Sequence, residues 1–277
     1  MHPKTVLITG CSSGIGRATA LAFLDEEWEV YATARNPADI ETLGDRGCDI
    51  STLDVTDPED VERVVSRIVD EHGRIDCLVN NAGYAQFGPI EDVPTDKVHE
   101  QFDVNVYGPH RLTRAVLPHM REQESGTIVN VSSVAGRLSF PGGGVYCASK
   151  FALEAMSDAL RVEVEDEGVD VVLIEPGPVD TQFNQRAAEE VDENEVERSD
   201  AYAPFYKAFD DAQAVGDSGG FWEEPPERVA EDIVNAASAT KPAARYPVGT
   251  VASVAVLGRF VPDSLRDSAF GLLRKLS

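Results

Sequence analysis

The stretch TVLITGCSSGIG, residues 5–16, is the strongest indication of the fold. Its first four residues predict a short buried strand, and three glycines, Gly10, Gly14 and Gly16, follow before apolar residues recur at helical spacing. Glycines at a strand–helix junction let the backbone approach an anion, which the N–H groups of the helix N-terminus can bind. The turn therefore predicts a site for a dinucleotide pyrophosphate. Its GxxxGxG spacing departs from GxGxxG, and an ordinary strand–helix turn is the alternative.

Strand–helix alternation continues along the chain. Apolar runs of strand length predict further strands at 28–33, 49–53, 75–79, 127–131, 169–174 and 245–248. Helical patterns separate them, at 15–27, after Pro37, after Pro58, and at 95–123, 145–167 and 227–239. Alternation of this kind predicts an α/β protein in three layers, with helices on both faces of a doubly wound parallel sheet, the Rossmann fold. We expect residues 1–277 to form a single domain.

The composition is that of a globular protein, but the charge is strongly acidic. There are 49 acidic and 24 basic residues, a net charge of -25, and only six of the basic residues are Lys. Such a surface repels phosphate backbones, so no nucleic-acid partner is expected. Many acids with few lysines are typical of proteins from salt-loving cells; an ordinary acidic cytosolic protein is the alternative.

Targeting and metal-binding signals are absent from the sequence. No signal peptide precedes the first strand, and no apolar stretch reaches the ~20 residues needed to span a bilayer. We therefore expect a cytoplasmic protein with no membrane span. Four cysteines form no CxxC pair, so no metal site is expected.

Two segments interrupt the alternation. Residues 180–224 are acidic, then aromatic, then Gly-rich, and they follow the end of a strand, which favours a substrate lid over a surface insertion. Within it, Phe221 and Trp222 either cover the substrate or pack in the core. The tail 251–277 predicts a terminal amphipathic helix, which either packs on its own domain or contacts a membrane surface.

Several chemically capable residues fall at the predicted ends of strands. Ser133 ends the fifth strand, and Tyr146 and Lys150 follow at i and i+4 on one face of a helix. NNAG (80–83) ends the fourth strand and PGPVDT (176–181) ends the sixth. The carboxyl ends of parallel strands meet at one edge of the sheet, where such folds bind their ligands.

Taken together, these motifs resemble the short-chain dehydrogenase/reductase family, in its compact single-domain branch. TGCSSGIG (9–16), LDVTD (53–57), NNAG (80–83), Asn105, VSS (131–133), YCASK (146–150) and PGPVDT (176–181) match in order. VYATAR (30–35), with the long glycine motif, is most similar to members that act on hydroxysteroids and retinoids.

The resemblance implies a catalytic set of Asn105, Ser133, Tyr146 and Lys150. Tyr146 would be the general acid/base, and the cations of Lys150 and an oxidised nicotinamide would favour its phenolate by lowering its pKa. Ser133 would donate a hydrogen bond to the substrate oxygen, and Lys150 would also hold the nicotinamide ribose. Asn105 would hold a water that links Lys150 to solvent. Alternatively, Asn105 binds only backbone within its helix.

The resemblance also implies a set of cofactor contacts. Asp54 would accept a hydrogen bond from the adenine amino group, or act as an acid near a helix N-terminus. The complete set is Gly10, Ser12, Ser13, Gly14, Ile15, Gly16, Arg35, Asp54, Val55, Asn81, Ala82, Gly83, Tyr146, Lys150, Pro176, Gly177, Val179 and Thr181.

Cofactor choice depends on the end of the second strand. Enzymes that use NAD need an acid there for the ribose 2′-hydroxyl, and residues 31–36 contain none. Ala34 stands where the family's NAD members carry Asp, and Arg35 follows, suited to a 2′-phosphate. A solvated surface Arg is the alternative. The pattern predicts NADP(H) as the cofactor.

The sequence therefore predicts an NADP(H)-dependent oxidoreductase that interconverts a secondary alcohol and a ketone or aldehyde. A nucleotide-binding sensor or scaffold without turnover is one alternative, and a nucleotide-sugar epimerase or dehydratase is the other. Helices 95–123 and 145–167 resemble the pair through which the family dimerises, so a homodimer or homotetramer is expected.

Overall fold

A seven-stranded, entirely parallel sheet forms the centre of the computed structural model, which describes residues 3–181, 198–207 and 223–276. The strand order is β3-β2-β1-β4-β5-β6-β7. The strands are β1 Thr5–Ile8, β2 Glu29–Ala34, β3 Asp49–Thr52, β4 Cys77–Asn80, β5 Gly126–Val131, β6 Val169–Pro176 and β7 Arg245–Val248. The predicted doubly wound parallel sheet is confirmed.

Helices connect the strands and cover both faces. They are α1 Gly14–Asp25, α2 Glu41–Gly44, α3 Pro58–His72, α4 Thr95–Phe102, α5 Gly108–Glu122, α6 Gly144–Glu163, α7 Pro226–Ser238, α8 Thr250–Ala255 and α9 Asp263–Leu276. No helix among the described residues is long and apolar enough to cross a membrane.

Alternating side chains on the strands build two separate apolar cores. In β1, Val6 and Ile8 belong to one core, and Leu7, between them, belongs to the other, because successive side chains point to opposite faces. The first core packs on α1 and α7, through residues such as Phe23 and Ile233. The second packs on α3 and α5. The result is the three-layer arrangement predicted from the sequence.

The direction of winding reverses between β1 and β4, which are neighbours in the sheet although β2 and β3 lie between them in the chain. Ligands of such sheets bind at the carboxyl ends of strands beside this reversal. The glycine turn follows β1 and Asn81 follows β4, so the topology brings both motifs to one edge.

The predicted helix 95–123 is divided by a π-helical segment, Asp103–Tyr107, between α4 and α5. A π-helical turn inserts extra backbone into a helix and redirects the side chains that it carries. Asn105 lies in this segment and is buried. Hydrophobic periodicity does not distinguish π from α turns over five residues, so the sequence predicted a continuous helix here.

The other differences are at element boundaries. The predicted helix 145–167 ends as α6 at Glu163, and a 3₁₀ turn, Glu165–Glu167, completes it before Gly168. The tail ends in helix α9, as expected. Most of the predicted lid, together with Phe221 and Trp222, lies outside the described residues, so its function stays a prediction.

Candidate active site

The turn after β1 is a tight backbone cradle. A Cβ atom on Gly16 would lie 2.3 Å from the carbonyl oxygen of Gly10 and 2.4 Å from Asn81 Nδ2, so no side chain fits there. Gly14 has a φ of +53° and faces Thr181, whose Cγ2 would lie 2.9 Å from an added Cβ. The turn therefore brings the residues after β1, β4 and β6 together, as the sequence predicted.

The N-terminus of α1 is open to an anion. Its N-cap residue, Ser13, makes no side-chain capping hydrogen bond, and the first turn of α1 carries no acidic residue. The first N–H groups of a helix have no partner within it, and they carry the positive end of the helix dipole. Beside them lies a cavity of about 500 Å³, bordered by Ser12, Arg17 and Thr181 among other residues. A pyrophosphate fits this chemistry.

Asn81 and Ala82 are held against this turn by a residue that the sequence analysis did not select. The side-chain oxygen of Thr9 accepts hydrogen bonds from the backbone N–H of Asn81 (3.1 Å) and of Ala82 (3.0 Å). Asn81 Nδ2 donates to the carbonyl oxygens of Thr9 (2.9 Å) and Gly10 (3.1 Å). Thr9 could have been found from its place, the first polar residue after β1.

The adenine end of the predicted cofactor site lies at the carboxyl ends of β2 and β3. Arg35 is exposed and makes no hydrogen bond or ion pair with another described residue. Asp54 uses Oδ1 to accept from the backbone N–H and the hydroxyl of Thr56, at 2.9 and 2.7 Å. The cap of α3 is Asp57. Asp54 thus stabilises the turn before the helix and keeps Oδ2 for another donor. Val55, next to it, is buried.

Ser133, Tyr146 and Lys150 come together at the ends of β5 and α6. Tyr146 and Lys150 lie on one face of α6, with Lys150 Nζ 5.8 Å from the centre of the Tyr146 ring. Tyr146 makes a side-chain hydrogen bond with Ser133, which itself accepts from the backbone N–H of Ala135 at 3.1 Å. Lys150 Nζ donates to the carbonyl oxygen of Val131 at 2.9 Å.

Burial is the largest influence on the pKa values of Tyr146 and Lys150 in the chain alone. Burial raises the pKa of Tyr146 to about 12, and the hydrogen bond with Ser133 only partly opposes this rise. Burial also lowers the pKa of Lys150 to about 8, against the opposing charge of Glu154. The sequence predicted a lowered pKa for Tyr146. That lowering was predicted for the complex with an oxidised nicotinamide and stays a prediction; in the chain alone, the burial of the phenol outweighs its hydrogen bond with Ser133.

The side chain of Asn105 binds the backbone of Tyr84 and the side chain of Ser149. Its Oδ1 accepts from the N–H of Tyr84 at 3.1 Å, and its Nδ2 donates to the carbonyl oxygen of Tyr84 (3.0 Å) and to Ser149 Oγ (3.1 Å). These partners lie outside its own helix, unlike those of the alternative drawn from the sequence. An added Cβ on Gly83 would lie 3.1 Å from Asn105 Oδ1 and 3.8 Å from Lys150 Nζ. Asn105 and Lys150 therefore border the same small space beside the strand ends.

The remaining predicted residues follow β6. Pro176 is its last residue, and the N–H of Gly177 donates to the carbonyl oxygen of Val248 in β7 at 3.1 Å. Val179 forms an isolated bridge with Glu224, which places the 176–181 loop against the start of α7. Among the described residues, no group of three His, Cys, Asp or Glu side chains could hold a metal ion.

Comparison with known proteins agrees with this architecture. The family model described as short chain dehydrogenase matches residues 4–192, and the chain belongs to that family. The resemblance seen in the sequence is therefore confirmed.

Two relatives show the breadth of this similarity. The uncharacterized oxidoreductase YbbO of Escherichia coli K12 is 38% identical over 268 residues, which cover 95% of this chain and 93% of YbbO. Human 17-beta-hydroxysteroid dehydrogenase type 1 is 36% identical over 269 residues, which cover 89% of this chain and 77% of the human protein.

Solved structures share the fold over most of their length. A short-chain dehydrogenase from Streptomyces avermitilis is 35% identical with a TM-score of 0.81, over 96% of this chain and 94% of that one. A family member from Burkholderia phymatum, in complex with NAD, is 25% identical with a TM-score of 0.77, over 92% of both chains. Serine dehydrogenase complexed with NADP⁺ is 29% identical with a TM-score of 0.74, over 87% of this chain and 92% of that one. Structural neighbours thus bind either nucleotide.

Proposed function

We propose that this protein is an NADP(H)-dependent oxidoreductase that interconverts a secondary alcohol and a ketone or aldehyde. The observation that carries the proposal is the grouping of Ser133, Tyr146 and Lys150 at the sheet edge where the glycine cradle also lies. A proton donor, a hydrogen-bond donor and a cation thus stand around one point beside a dinucleotide site. The likeness to oxidoreductases such as YbbO supports it.

The nucleotide would be held by residues from several strand ends. The turn residues Gly10, Ser12, Ser13, Gly14, Ile15 and Gly16 would surround the pyrophosphate. Asp54 and Val55 would contact the adenine, and Asn81, Ala82 and Gly83 would line the path to the nicotinamide. Lys150 would hold the nicotinamide ribose, and Pro176, Gly177, Val179 and Thr181 would contact the carboxamide end. When bound, the nucleotide supplies or accepts the hydride.

Tyr146 would move the proton. In carbonyl reduction it donates its phenolic hydrogen to the substrate oxygen, and the raised pKa keeps the phenol protonated, in the donating form, at neutral pH. Ser133 would donate a second hydrogen bond to that oxygen as negative charge develops there. Once the proton has left, the Lys150 ammonium favours the phenolate, because an opposite charge stabilises the ionised form. Asn105, next to Lys150, would hold the water that returns a proton from solvent.

The preference for NADP(H) rests on the end of β2. Ala34 is buried and Arg35, the first residue after β2, is exposed, which supports a role for its guanidinium in binding a phosphate at this strand end. A guanidinium meets a phosphate with two parallel hydrogen bonds. No carboxylate stands between residues 31 and 36 to accept from a 2′-hydroxyl.

The same proposal includes an oligomeric state and a cellular environment. The outer face of α6 exposes Phe151, Met156 and Val162, which fits burial against a second copy in a homodimer or homotetramer. The net charge of -25 fits a cytoplasm of high salt, where screening weakens self-repulsion. We further propose that residues 1–277 act as one domain, with 180–224 as a lid.

Replacing Tyr146 tests the function. Tyr146→Phe keeps the ring that packs 5.9 Å from Phe87 but removes the proton donor, so turnover with NADPH and a panel of ketones and aldehydes should fall by at least ~10²-fold. NADPH binding, followed by its fluorescence, should be unchanged. Tyr107→Phe is the matched control, because Tyr107 is exposed and lies outside the trio.

Three outcomes would contradict the proposal. A Tyr146→Phe protein with normal turnover would place the acid elsewhere. Binding of NADPH by the unaltered protein without oxidation of any substrate would indicate a sensor. Turnover that leaves the cofactor unchanged would indicate an epimerase or dehydratase.

A further inference from the structure

Four charged residues from four different segments meet beneath the candidate active site. They are Arg137, after the turn that carries Ser133; Glu154, on α6; Glu175, on β6; and Arg245, on β7; we refer to them as the charged quartet. Arg245 lies 3.0 Å from Glu154 Oε2 and 3.1 Å from Glu175 Oε1. Arg137 Nη1 lies 3.7 and 3.5 Å from the same two oxygens. Two arginines thus bridge two carboxylates.

Both carboxylates are buried. Glu154 is 4% exposed and Glu175 is 2% exposed. Burial and the neighbouring charge of Glu154 raise the pKa of Glu175. Burying two like charges side by side is unfavourable unless cations compensate them, and Arg137 and Arg245 do so here. Burying charged groups costs free energy, and such groups are common at functional sites. Their position next to the candidate active site therefore indicates a function besides packing.

Three members of the charged quartet are close in the chain to residues of the site. Glu154 is one helical turn after Lys150, on the same face of α6. Arg137 is four residues after Ser133, and Glu175 directly precedes Pro176. The backbone between Ser133 and Arg137 rests on α6: a Cβ on Gly136 would lie 2.9 Å from Glu154 Cγ and 3.2 Å from the carbonyl oxygen of Lys150.

The charge of Glu154 acts on Lys150. Burial lowers the pKa of Lys150, and Glu154 is the one charge that opposes this lowering. The other groups around the ammonium are neutral: the carbonyl oxygen of Val131, the ring of Tyr146 and the side chain of Asn105. Around Glu154 itself stand Arg137, Arg245 and Glu175, and Asp158 lies on the far side of Arg245.

We propose that Glu154 is a positioning residue: Arg137 and Arg245 hold its carboxylate one turn from Lys150, where it keeps the lysine ammonium charged and fixes the Ser133 turn against α6. The inference rests on the proposed function, since it assigns a purpose to the charge on Lys150. The carboxylate touches neither substrate nor cofactor and acts through the lysine.

The sign of the effect follows from electrostatics. Without the negative charge of Glu154, the ammonium form of Lys150 is less favoured, so its pKa falls below about 8. In carbonyl reduction the neutral lysine no longer supports the phenolate that Tyr146 becomes. The alkaline limb of the pH profile of kcat/KM should therefore move to lower pH in Glu154→Gln. We expect a shift of about one pH unit, which is the lower end of the pKa changes that a single nearby charge produces.

The experiment measures Lys150 directly as well as the rate. The chain has six lysines, so NMR of protein labelled at the lysine ε-carbon resolves few signals, and Lys150→Arg assigns the one that matters. The pKa of that signal should be lower in Glu154→Gln than in the unaltered protein. Arg137→Gln, which removes a cation from the same cluster, should raise it.

Asp158→Asn is the matched control. Asp158 contacts Arg245 with both carboxylate oxygens at 2.7 Å, but it stands two turns from Lys150. This variant also removes one carboxylate from Arg245, and it should leave the pKa of Lys150 and the alkaline limb in place. If Glu154 only stabilised the fold, Glu154→Gln and Asp158→Asn would both lower the melting temperature. Neither variant would then change the pKa of Lys150 or the alkaline limb of the kcat/KM profile.

The experiment distinguishes failure of the role of Glu154 from failure of the proposed oxidoreductase function. An unchanged Lys150 pKa in Glu154→Gln overturns the inference, even if the protein reduces carbonyls. If Glu154→Gln does not fold, an unchanged or lowered Lys150 pKa in Arg137→Gln overturns it instead. If no carbonyl is reduced, the NMR titration still decides the inference, and only the proposed function has failed.

Discussion

Cofactor selection by Arg35 offers the sharpest test at the nucleotide site. The perturbation is the double change Ala34→Asp with Arg35→Ala. It removes the guanidinium proposed to meet the 2′-phosphate of NADPH, and it adds a carboxylate that accepts from the 2′-hydroxyl of NADH and repels the phosphate. The preferred cofactor should therefore change from NADPH to NADH.

The structure sets the size of the effect. A charge-assisted hydrogen bond contributes about 1.5–3 kcal/mol, but exposed ion pairs give only about 0.2–1 kcal/mol. Arg35 is exposed, so we expect a contribution between these two ranges, about 1.4 kcal/mol. About 1.4 kcal/mol is tenfold, so the unaltered protein should prefer NADPH by about tenfold at low salt. Molar KCl, with a Debye length of about 3 Å, should reduce the preference.

The assay is the ratio of kcat/KM for the two nucleotides with one carbonyl substrate. Arg46→Ala is the control, because it removes a positive charge that is also exposed, from the segment before β3 at the opposite edge of the sheet. Ala34 is 5% exposed, so the new carboxylate is partly buried, and melting temperatures should be compared with NADH bound. A preference for NADH in the unaltered protein, or a ratio that the double variant does not change, would show that Arg35 does not select the cofactor. Arg17, which donates to Thr42 Oγ1 at 2.6 Å, would then be the next candidate.

Two further predictions concern stability. Thr9→Val keeps the shape of the side chain but leaves the N–H of Ala82 without its acceptor, so the free energy of unfolding in urea should fall by about 1–3 kcal/mol. Thr9→Ser keeps the hydroxyl and should be about as stable as the unaltered protein. Equal stability of the two variants would contradict this role of Thr9. The chain has 49 acidic and 24 basic residues, so the folded protein should repel itself at low salt. The melting temperature should rise as KCl increases from 0.01 to 1 M, because the Debye length falls from about 30 to about 3 Å. A constant melting temperature would contradict the high-salt interpretation.

Local sequence patterns were enough to predict several elements of this fold. The run TVLI followed by glycines predicted β1, the turn and α1, because side-chain periodicity and the freedom of glycine act over a few neighbouring residues. Strand ends follow from the same patterns only approximately. β3 ends at Thr52 rather than at residue 53, because Thr52 is the last residue paired with β2, opposite Ala34.

The arrangement and the charge states of the site residues depend on contacts between segments that are distant in the chain. The hydrogen bonds of Asn105 to the backbone of Tyr84 depend on a π-helical segment that hydrophobic spacing does not reveal. The contacts of Arg137 and Arg245 with Glu154 and Glu175 require four segments of the chain to fold together. The pKa of Tyr146 rises because its ring is buried, and burial depends on everything that packs around a residue. Solvation and Coulomb energies act through space, so residues distant in the chain set them and local sequence does not.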